Sequence, residues 1–474
     1  MLTIFIIMVS RNMQTFAKGR STSETAQLIL PAFADWVIDL QKISKVFRYY
    51  GSFLPSQLSL LRNVHSGINS TESPVLVFGA PPSSGKTHVI ALCASYFESK
   101  GFSSCVVTPN TELIRDFQRE LRRVEISAKP QVLNIGAYVR RKDDFRICLV
   151  DEAHNLRSAL EMSPEVVTTV RIDSKASFYP NVRGVLEQTH SLQKELSPED
   201  AHDLVVRLVD HVHSNPLQRI LGSLTMWRVF VVESDFGLEV KFLAADPTKR
   251  NLLPRNRLLL FSATPLDRTE LEFYCNIPHN SVVEYQAPRE EAGKANVRYR
   301  FVPCATYDEK LAVAMTILGS FKEPVLILIN NNKECNRWSL SLSKTFKSRL
   351  VSVCSHLPYS ERLTRYERFI RLKTGILVTS SSAYWEGINI KNLKMVVIPD
   401  RPYPKPTLLE IASKGTNFET VSKRRLIQGV GRVGRSPNTV SMCILLFKPR
   451  GMTGIFGLAT NESLGRDVSS MKNN

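Results

Sequence analysis

Residues Pro74–Thr87 read PVLVFGAPPSSGKT. Val75, Leu76, Val77 and Phe78 form a short apolar run of β-branched and aromatic residues, which predicts a strand buried on both faces. Gly79 to Ser84 is a run of small residues and prolines that cannot continue a strand. After Gly85, Lys86 and Thr87 an apolar helical pattern begins at once through Val89, Ile90, Leu92, Cys93, Tyr96 and Phe97. Strand, small-residue loop, Lys-Thr and helix is the layout that cradles a nucleoside triphosphate. Backbone N–H groups face the phosphates, the lysine ammonium meets the β- and γ-oxygens, and the threonine hydroxyl ligates Mg2+. The expected ATP-binding set is therefore Ala80, Pro81, Pro82, Ser83, Ser84, Gly85, Lys86 and Thr87, with Ala80 standing where G-x-x-x-x-G-K-[ST] has its first glycine.

The 474 residues are enough for two to four domains, each with its own core. The 62 Lys and Arg against 44 Asp and Glu leave a net charge of +18, which points to a polyanion partner, nucleic acid. Eight cysteines contain no CxxC pair, and several sit inside apolar runs, as in Ile147-Cys148-Leu149. Buried reduced thiols in an intracellular, cytoplasmic protein are the simplest expectation. The N-terminal MLTIFIIMVS is too short to span a bilayer and has no basic region before it. A soluble protein without signal peptide or membrane segment is expected.

Taken in order, the chain shows a helical spacing through Phe33, Trp36, Val37, Leu40 and Ile43. Gln57 lies upstream of the phosphate loop, and its amide can read both edges of an adenine or serve as a plain surface group. SCVVT at 104–108 predicts the next strand, ending in Thr108-Pro109-Asn110-Thr111, where Thr111 is placed to cap the following helix. RICLV at 146–150 is another buried strand and delivers Asp151-Glu152-Ala153-His154. Downstream of a phosphate loop, Asp151 is expected to hold the Mg2+ shell and Glu152 to orient and deprotonate the attacking water, with His154 sensing the γ-phosphate region.

Residues 155–254 read as an insertion, a small and mostly helical subdomain with a helix from Pro198 and a hairpin of 227–232 with 238–243. RLLLF at 257–261 is a further strand, ending in Ser262-Ala263-Thr264, whose Ser262 and Thr264 hydroxyls are placed to couple hydrolysis to the rest of a motor. A second α/β pattern follows, with strands at 325–329, 375–379, 395–398 and 442–447 and helical patterns at 307–320 and 358–372. It carries Ala383-Tyr384-Trp385-Glu386-Gly387-Ile388-Asn389. It also carries a basic stretch from Val421 to Arg450 without Asp or Glu, containing Gln428, Arg432 and Arg435. Arg432 and Arg435 are three apart and expected on one helix face, presented as arginine fingers across a cleft.

AxxxxGKT at 80–87, TPN at 108–110, DEAH at 151–154, SAT at 262–264 and QxxGRxxR at 428–435, in this order, resemble a superfamily 2 DEAH-box helicase. WEGIN at 385–389, Asp400-Arg401-Pro402-Tyr403-Pro404 and LEVKFLAADP at 238–247 resemble the XPD/DinG branch, and the 155–254 insertion sits where that branch carries its arch. The resemblance spans roughly residues 50–450. It implies that Thr108 and Thr111 touch nucleic-acid phosphates, that Glu386 and Gly387 line the nucleotide site, and that Gln57 reads adenine. Two departures stand out. Only Cys93, Cys105 and Cys148 lie where the branch often holds four iron–sulfur cysteines, so no cluster is expected. Asn389 stands where the branch usually has Asp.

The expected fold class is α/β, with two tandem recombinase-like parallel-sheet domains and a mostly helical insertion in the first. The expected divisions are 1–48, an ATP-binding domain at 49–154 and 255–294, an arch-like insertion at 155–254, a second helicase domain at 295–450 and a tail at 451–474. The expected function is an ATP- and Mg2+-dependent DNA helicase, moving 5′→3′ on a single strand or tailed duplex by resemblance. The alternatives are a nucleic-acid-stimulated translocase that separates no strands, or a non-catalytic binding module. RNA stays open as the substrate, since phosphate contacts do not report the sugar.

Overall fold

The computed structural model describes residues 28–447 apart from 48–50, 81–83, 109–110, 126–128, 190, 213–214, 235–236, 264–265, 287–296, 381–383, 386–389, 391–392, 403–406, 414–424, 427–428, 431 and 434–439, and apart from the side chains of 111, 112, 116, 215, 216 and 234. The strand anticipated at Val75–Gly79 is β1. Its alternate residues enter opposite cores: Val75 and Val77 on one face, Leu76 and Phe78 on the other. The same split runs through β2 (Ser104–Thr108), β4 (Ile147–Val150) and β9 (Arg257–Ser262), because a strand with apolar side chains on both faces is stable only between two covering layers. With β3 (Gln131–Asn134) and β10 (Val282–Tyr285) they form a six-stranded sheet in the order β10-β1-β9-β4-β2-β3, parallel throughout.

Four helices of this lobe position or flank the phosphate loop: α1 (Phe33–Ile43), α2 (Pro55–Ser70), α3 (Lys86–Ser99) and α4 (Thr111–Leu121). Although β1 and β2 are successive in the chain, β9 and β4 lie between them in the sheet. Such a gap opens a crevice at the carboxyl ends of the strands, where ligands bind in doubly wound folds.

Between β4 and β9 the chain builds an antiparallel sheet in the order β5-β8-β7-β6 from β5 (Val167–Asp173), β6 (Lys194–Glu195), β7 (Trp227–Ser234) and β8 (Gly237–Ala244). The hairpin read from sequence is β7–β8, paired from Trp227↔Ala244 to Ser234↔Gly237. Helices pack on this sheet over a separate core: α5 (Pro198–His211) buries Leu204, Val205 and Leu208 against Val231, Val240 and Phe242. The insertion is thus a helix-on-sheet unit, where periodicity discloses only helices and one hairpin.

A second six-stranded sheet, also parallel, has the order β11-β16-β15-β12-β14-β13, from β11 (Val297–Phe301), β12 (Val325–Leu328), β13 (Leu350–Val353), β14 (Ile376–Thr379), β15 (Met395–Ile398) and β16 (Ser441–Leu445). Covering helices include α6 (Tyr307–Ser320), α7 (Asn332–Phe346) and α8 (Tyr359–Arg371). Helix α9 (Leu408–Ser413), between β15 and β16, reaches back: Leu408 and Ile411 are buried in the core of the first sheet, and the Leu409 N–H donates to the Tyr274 hydroxyl at 3.3 Å. No helix among the described residues is long and apolar enough to cross a membrane.

Gly237 opens β8 with φ +145°, and a Cβ there would overlap the Ile172 carbonyl oxygen and the Ser174 amide nitrogen. Gly237→Ala should therefore cost about 3 kcal/mol or more through strain and overlap with backbone. Denaturant unfolding, with limited proteolysis of the insertion, should show that loss; unchanged stability would contradict the register of β5 on β8.

Candidate active site

The described ends of the loop after β1 are held by β9 and by the first turn of α2. The Ala80 N–H donates to Ser262 O on β9 at 2.8 Å, so the loop leaves the sheet beside the SAT strand. Ala80 is 3% exposed and does not adopt left-handed backbone, which is why this position does without the glycine of the usual pattern. At the far end Gly85 caps α3 with φ +77° and ψ 19°, a conformation that favours glycine, and a Cβ there would overlap the Gln57 amide. Gln57 Oε1 accepts from the Leu54 N–H at 3.0 Å, and the neighbouring Ser56 hydroxyl donates to Ser84 O at 3.2 Å. The first turn of α2 thus braces the phosphate loop. Ser56 is not singled out by any sequence pattern; its only signal is its place beside Gln57.

Lys86 and Thr87 begin α3. The Lys86 ammonium lies 2.9 Å from Glu152 Oε1 and 3.1 Å from Asp151 Oδ1, with all three side chains nearly buried. β4 delivers the two carboxylates, and the Asp151 N–H donates to Val107 O on β2 at 3.0 Å. Glu152 then takes a left-handed conformation, φ 48° and ψ 46°, and its N–H donates to Asp151 Oδ1 at 2.9 Å. A non-glycine residue there costs on the order of 1 kcal/mol, and such strain clusters at functional sites.

Burial disfavours the Lys86 charge, but the two carboxylates outweigh it and hold the ammonium above its ordinary pKa. Burial pushes the Asp151 carboxyl up; Lys86 opposes this, the Glu152 charge adds to it, and the result is about 6. Glu152 goes the other way. Burial opposes its charge, but Lys86, His154 and Arg432 together hold it below the usual carboxylate range. Two carboxylates sharing one lysine titrate as a pair.

His154 Nδ1 lies 3.2 Å from Ser262 Oγ and 3.5 Å from Glu152 Oε2, so two of the expected coupling residues meet. Arg432 belongs to the second sheet's layers and is 3% exposed, yet its charge acts on Glu152. It sits in a tight turn, its N–H donating to Gly429 O at 3.2 Å, and not inside a helix as the spacing suggested. Leu426, Val430 and Val433 are buried beside Trp385 and anchor this segment. A Cβ on Gly429 would stand 3.0 Å from the Trp385 ring and from Leu328, so glycine permits the close approach. Trp385 Nε1 in turn donates to Ile329 O at 3.2 Å.

Thr108 is buried at the end of β2, and α4 begins at Thr111 itself. Pro81, Pro82, Ser83, Thr264, Glu386, Gly387, Gln428 and Arg435 lie outside the described residues, as does the Thr111 side chain.

Residues 309–437 match the family model described as helicase conserved C-terminal domain. Among solved structures, the chain is similar to Mss116p bound to single-stranded RNA and AMP-PNP, with a TM-score of 0.54 and 12% identity over 96% of this chain and 84% of that one. It is also similar to a variant of Dbp5 from S. cerevisiae bound to RNA and ADP BeF3, with a TM-score of 0.53 and 14% identity over 93% of this chain and 95% of that one. No curated protein matches the sequence. At these identities the likeness is one of fold: two recombinase-like parallel-sheet lobes, as in a helicase.

Removing the ammonium should leave two adjacent buried carboxylates with only His154 and Arg432, both acting on Glu152, to offset their charge. Lys86→Met should therefore destabilise the fold by about 3–5 kcal/mol near neutral pH. Both carboxyls would then have pKa values above those of the unfolded chain, so the penalty applies where they are ionised and fades as pH falls and they take up protons. Urea melts at pH 8 and pH 5 should show the larger deficit at pH 8; an equal deficit at both would mean the three groups are not coupled.

Proposed function

We propose that the chain is an ATP-dependent motor on single-stranded nucleic acid, a helicase or a translocase. The observation that carries this reading is Lys86 seated between Asp151 and Glu152 with the charge of Arg432, from the other lobe, acting on Glu152. The residues also suit Mg2+ and a triphosphate. Glu152 Oε2 and Ser84 Oγ are buried without a hydrogen-bond partner, and Thr87 stands one residue into α3. Both buried atoms stand where a bound triphosphate or metal-held water could satisfy them. Thr87 and Asp151 would hold Mg2+, which neutralises phosphate charge when bound.

In this reading Lys86 turns from the carboxylates to the β- and γ-phosphate oxygens. Glu152, held ionised, accepts a proton from the attacking water. Arg432 would stabilise charge on the transferred group, a role the sequence pattern extends to Arg435 and Gln428, and Glu386 and Gly387 would line the nucleotide. His154 and Ser262, with Thr264, carry the state of the site into the sheet edge, while Thr108 and Thr111 hold nucleic-acid phosphates. Gln57 bears on the nucleotide through the loop it braces. The first motor domain would comprise 49–154 and 255–294, and the second 295–450.

Two substrates have support. WEGIN, DRPYP and the insertion favour DNA with 5′→3′ movement by resemblance to the XPD/DinG branch. The RNA bound to Mss116p and Dbp5 favours RNA. The net charge of +18 suits either.

Purified chain should hydrolyse ATP faster with single-stranded RNA or DNA than without, and unwinding of 5′- and 3′-tailed duplexes should report polarity. Glu152→Gln should still bind ATP and lose hydrolysis by about a hundredfold or more. No nucleic-acid stimulation, or a Glu152→Gln variant turning over at the normal rate, would overturn the reading.

A further inference from the structure

The second lobe holds a cysteine pair that the proposed reaction does not use. Cys335 lies in the first turn of α7 and Cys354 directly follows β13, and both are buried. Their sulfurs are 3.2 Å apart. A disulfide spans about 2.05 Å between sulfurs, so the bond requires an approach of about 1 Å. We propose that Cys335 and Cys354 form a reversible disulfide, which makes the pair a peroxide-sensitive modification site.

The surroundings favour the attacking thiolate at Cys354. Cys335 acts as hydrogen-bond partner to the Cys354 sulfur, and although burial opposes it, Ser352, His356 and Arg365 add to the effect, lowering the Cys354 thiol to about 6. Hydrogen bonding and burial push the Cys335 thiol up, so it keeps its proton. One contact opposes the Cys354 thiolate: the Cys354 thiol donates to Asn336 Oδ1 at 3.3 Å, a bond the thiolate gives up. Arg365 is held in place by donating to Ser352 O at 2.9 Å. A second close pair gives a contrast: Cys105 and Cys148 are register partners on β2 and β4, where burial pushes the Cys105 thiol far up.

The step balances with hydrogen peroxide as oxidant. The Cys354 thiolate attacks a peroxide oxygen, the O–O bond breaks, and hydroxide leaves, giving a sulfenic acid. The Cys335 sulfur then attacks the Cys354 sulfur and the S–O bond breaks. Its thiol proton and the departing oxygen leave as water. Two thiols lose two electrons and peroxide is reduced to two waters.

The bond would fasten the first turn of α7 to the end of β13. Asn332, on that same turn, accepts from the Ser355 N–H at 3.0 Å, the Ser355 hydroxyl at 2.9 Å and the Ser380 hydroxyl at 2.6 Å. The oxidised form would therefore fix the carboxyl ends of β13 and β14 on α7.

The test treats the full chain with a modest excess of hydrogen peroxide, alkylates the remaining thiols and maps peptides by mass spectrometry. The expected product is a Cys335–Cys354 cross-link lighter by two hydrogens and reversed by dithiothreitol, with Cys105 and Cys148 still alkylated. In Cys335→Ser, the resolving thiol is gone, and Cys354 should be trapped by dimedone as a sulfenic acid. Both cysteines remaining alkylatable in the treated wild-type chain, or cross-linking elsewhere in place of this pair, would overturn the proposal, as would a folded Cys335→Ser variant that dimedone does not label at Cys354.

Discussion

A single ammonium between two buried carboxylates is the interaction on which the site depends. Taking three charges out of water is costly, and it is tolerated only where geometry and hydrogen bonds satisfy them. Here β1 and β4 lie on either side of β9, so α3 presents Lys86 to the end of β4 at 2.9 and 3.1 Å from its acids. The left-handed Glu152 aims the second carboxylate back at the lysine instead of out along the strand. In the proposed cycle the triphosphate and its metal exchange partners with this trio. Lys86 would meet phosphate oxygens and Asp151 would help hold the metal, leaving Glu152 for the water. Beside the trio, Glu152 Oε2 faces His154 Nδ1 at 3.5 Å and Ser84 Oγ is buried without a hydrogen bond.

Several features of the first lobe hold that trio in place. The sheet residues behind it are buried on both faces, and each large apolar side chain so buried contributes about 1.5–3 kcal/mol. The first turn of α2 braces the phosphate loop through Ser56 and Gln57. His154 ties the acidic turn to Ser262. The second lobe arrives by two routes: Arg432 toward Glu152, and α9 with Leu408 and Ile411 in the first core. Glu161 sits where the insertion meets this contact. It lies 3.0 Å from Lys241 on β8 and accepts from the Tyr274 hydroxyl at 2.7 Å. The insertion therefore shares a buried polar network with the residue that receives α9.

What the sequence discloses divides along physical lines. Interior strands are legible because they are short, uninterrupted apolar runs: VLVF, SCVV, RLLLF, VLILI. The strands that escape such a reading are largely edges. β3 and β10 close the first sheet, and β11 and β13 close the second. β13, LVSV, is largely buried but has a serine interrupting its apolar run, whereas β11 is half exposed and alternates, VRYRF, so its composition resembles a loop or a helix face. β5, at the rim of the insertion's sheet, escapes for the same reason. At the site, Lys86 starts a helix, Ser262 ends a strand and Asp151 directly follows one, and Glu152 and His154 are legible because they follow Asp151 in the same short run. The bracing by Ser56 and the burial of Arg432 in a turn are not, since both depend on packing between elements far apart in the chain.

The central claim is that Arg432 of one lobe and the Lys86 trio of the other serve one triphosphate. The most direct measurement is single-turnover ATP hydrolysis by Arg432→Ala alongside its nucleotide affinity. An arginine acting on the transition state is worth about 10³-fold or more in rate, so hydrolysis should fall by that order while the Kd for ATP changes by less than about tenfold. Hydrolysis at the undiminished rate, with the variant folded and nucleotide-bound, would contradict the account.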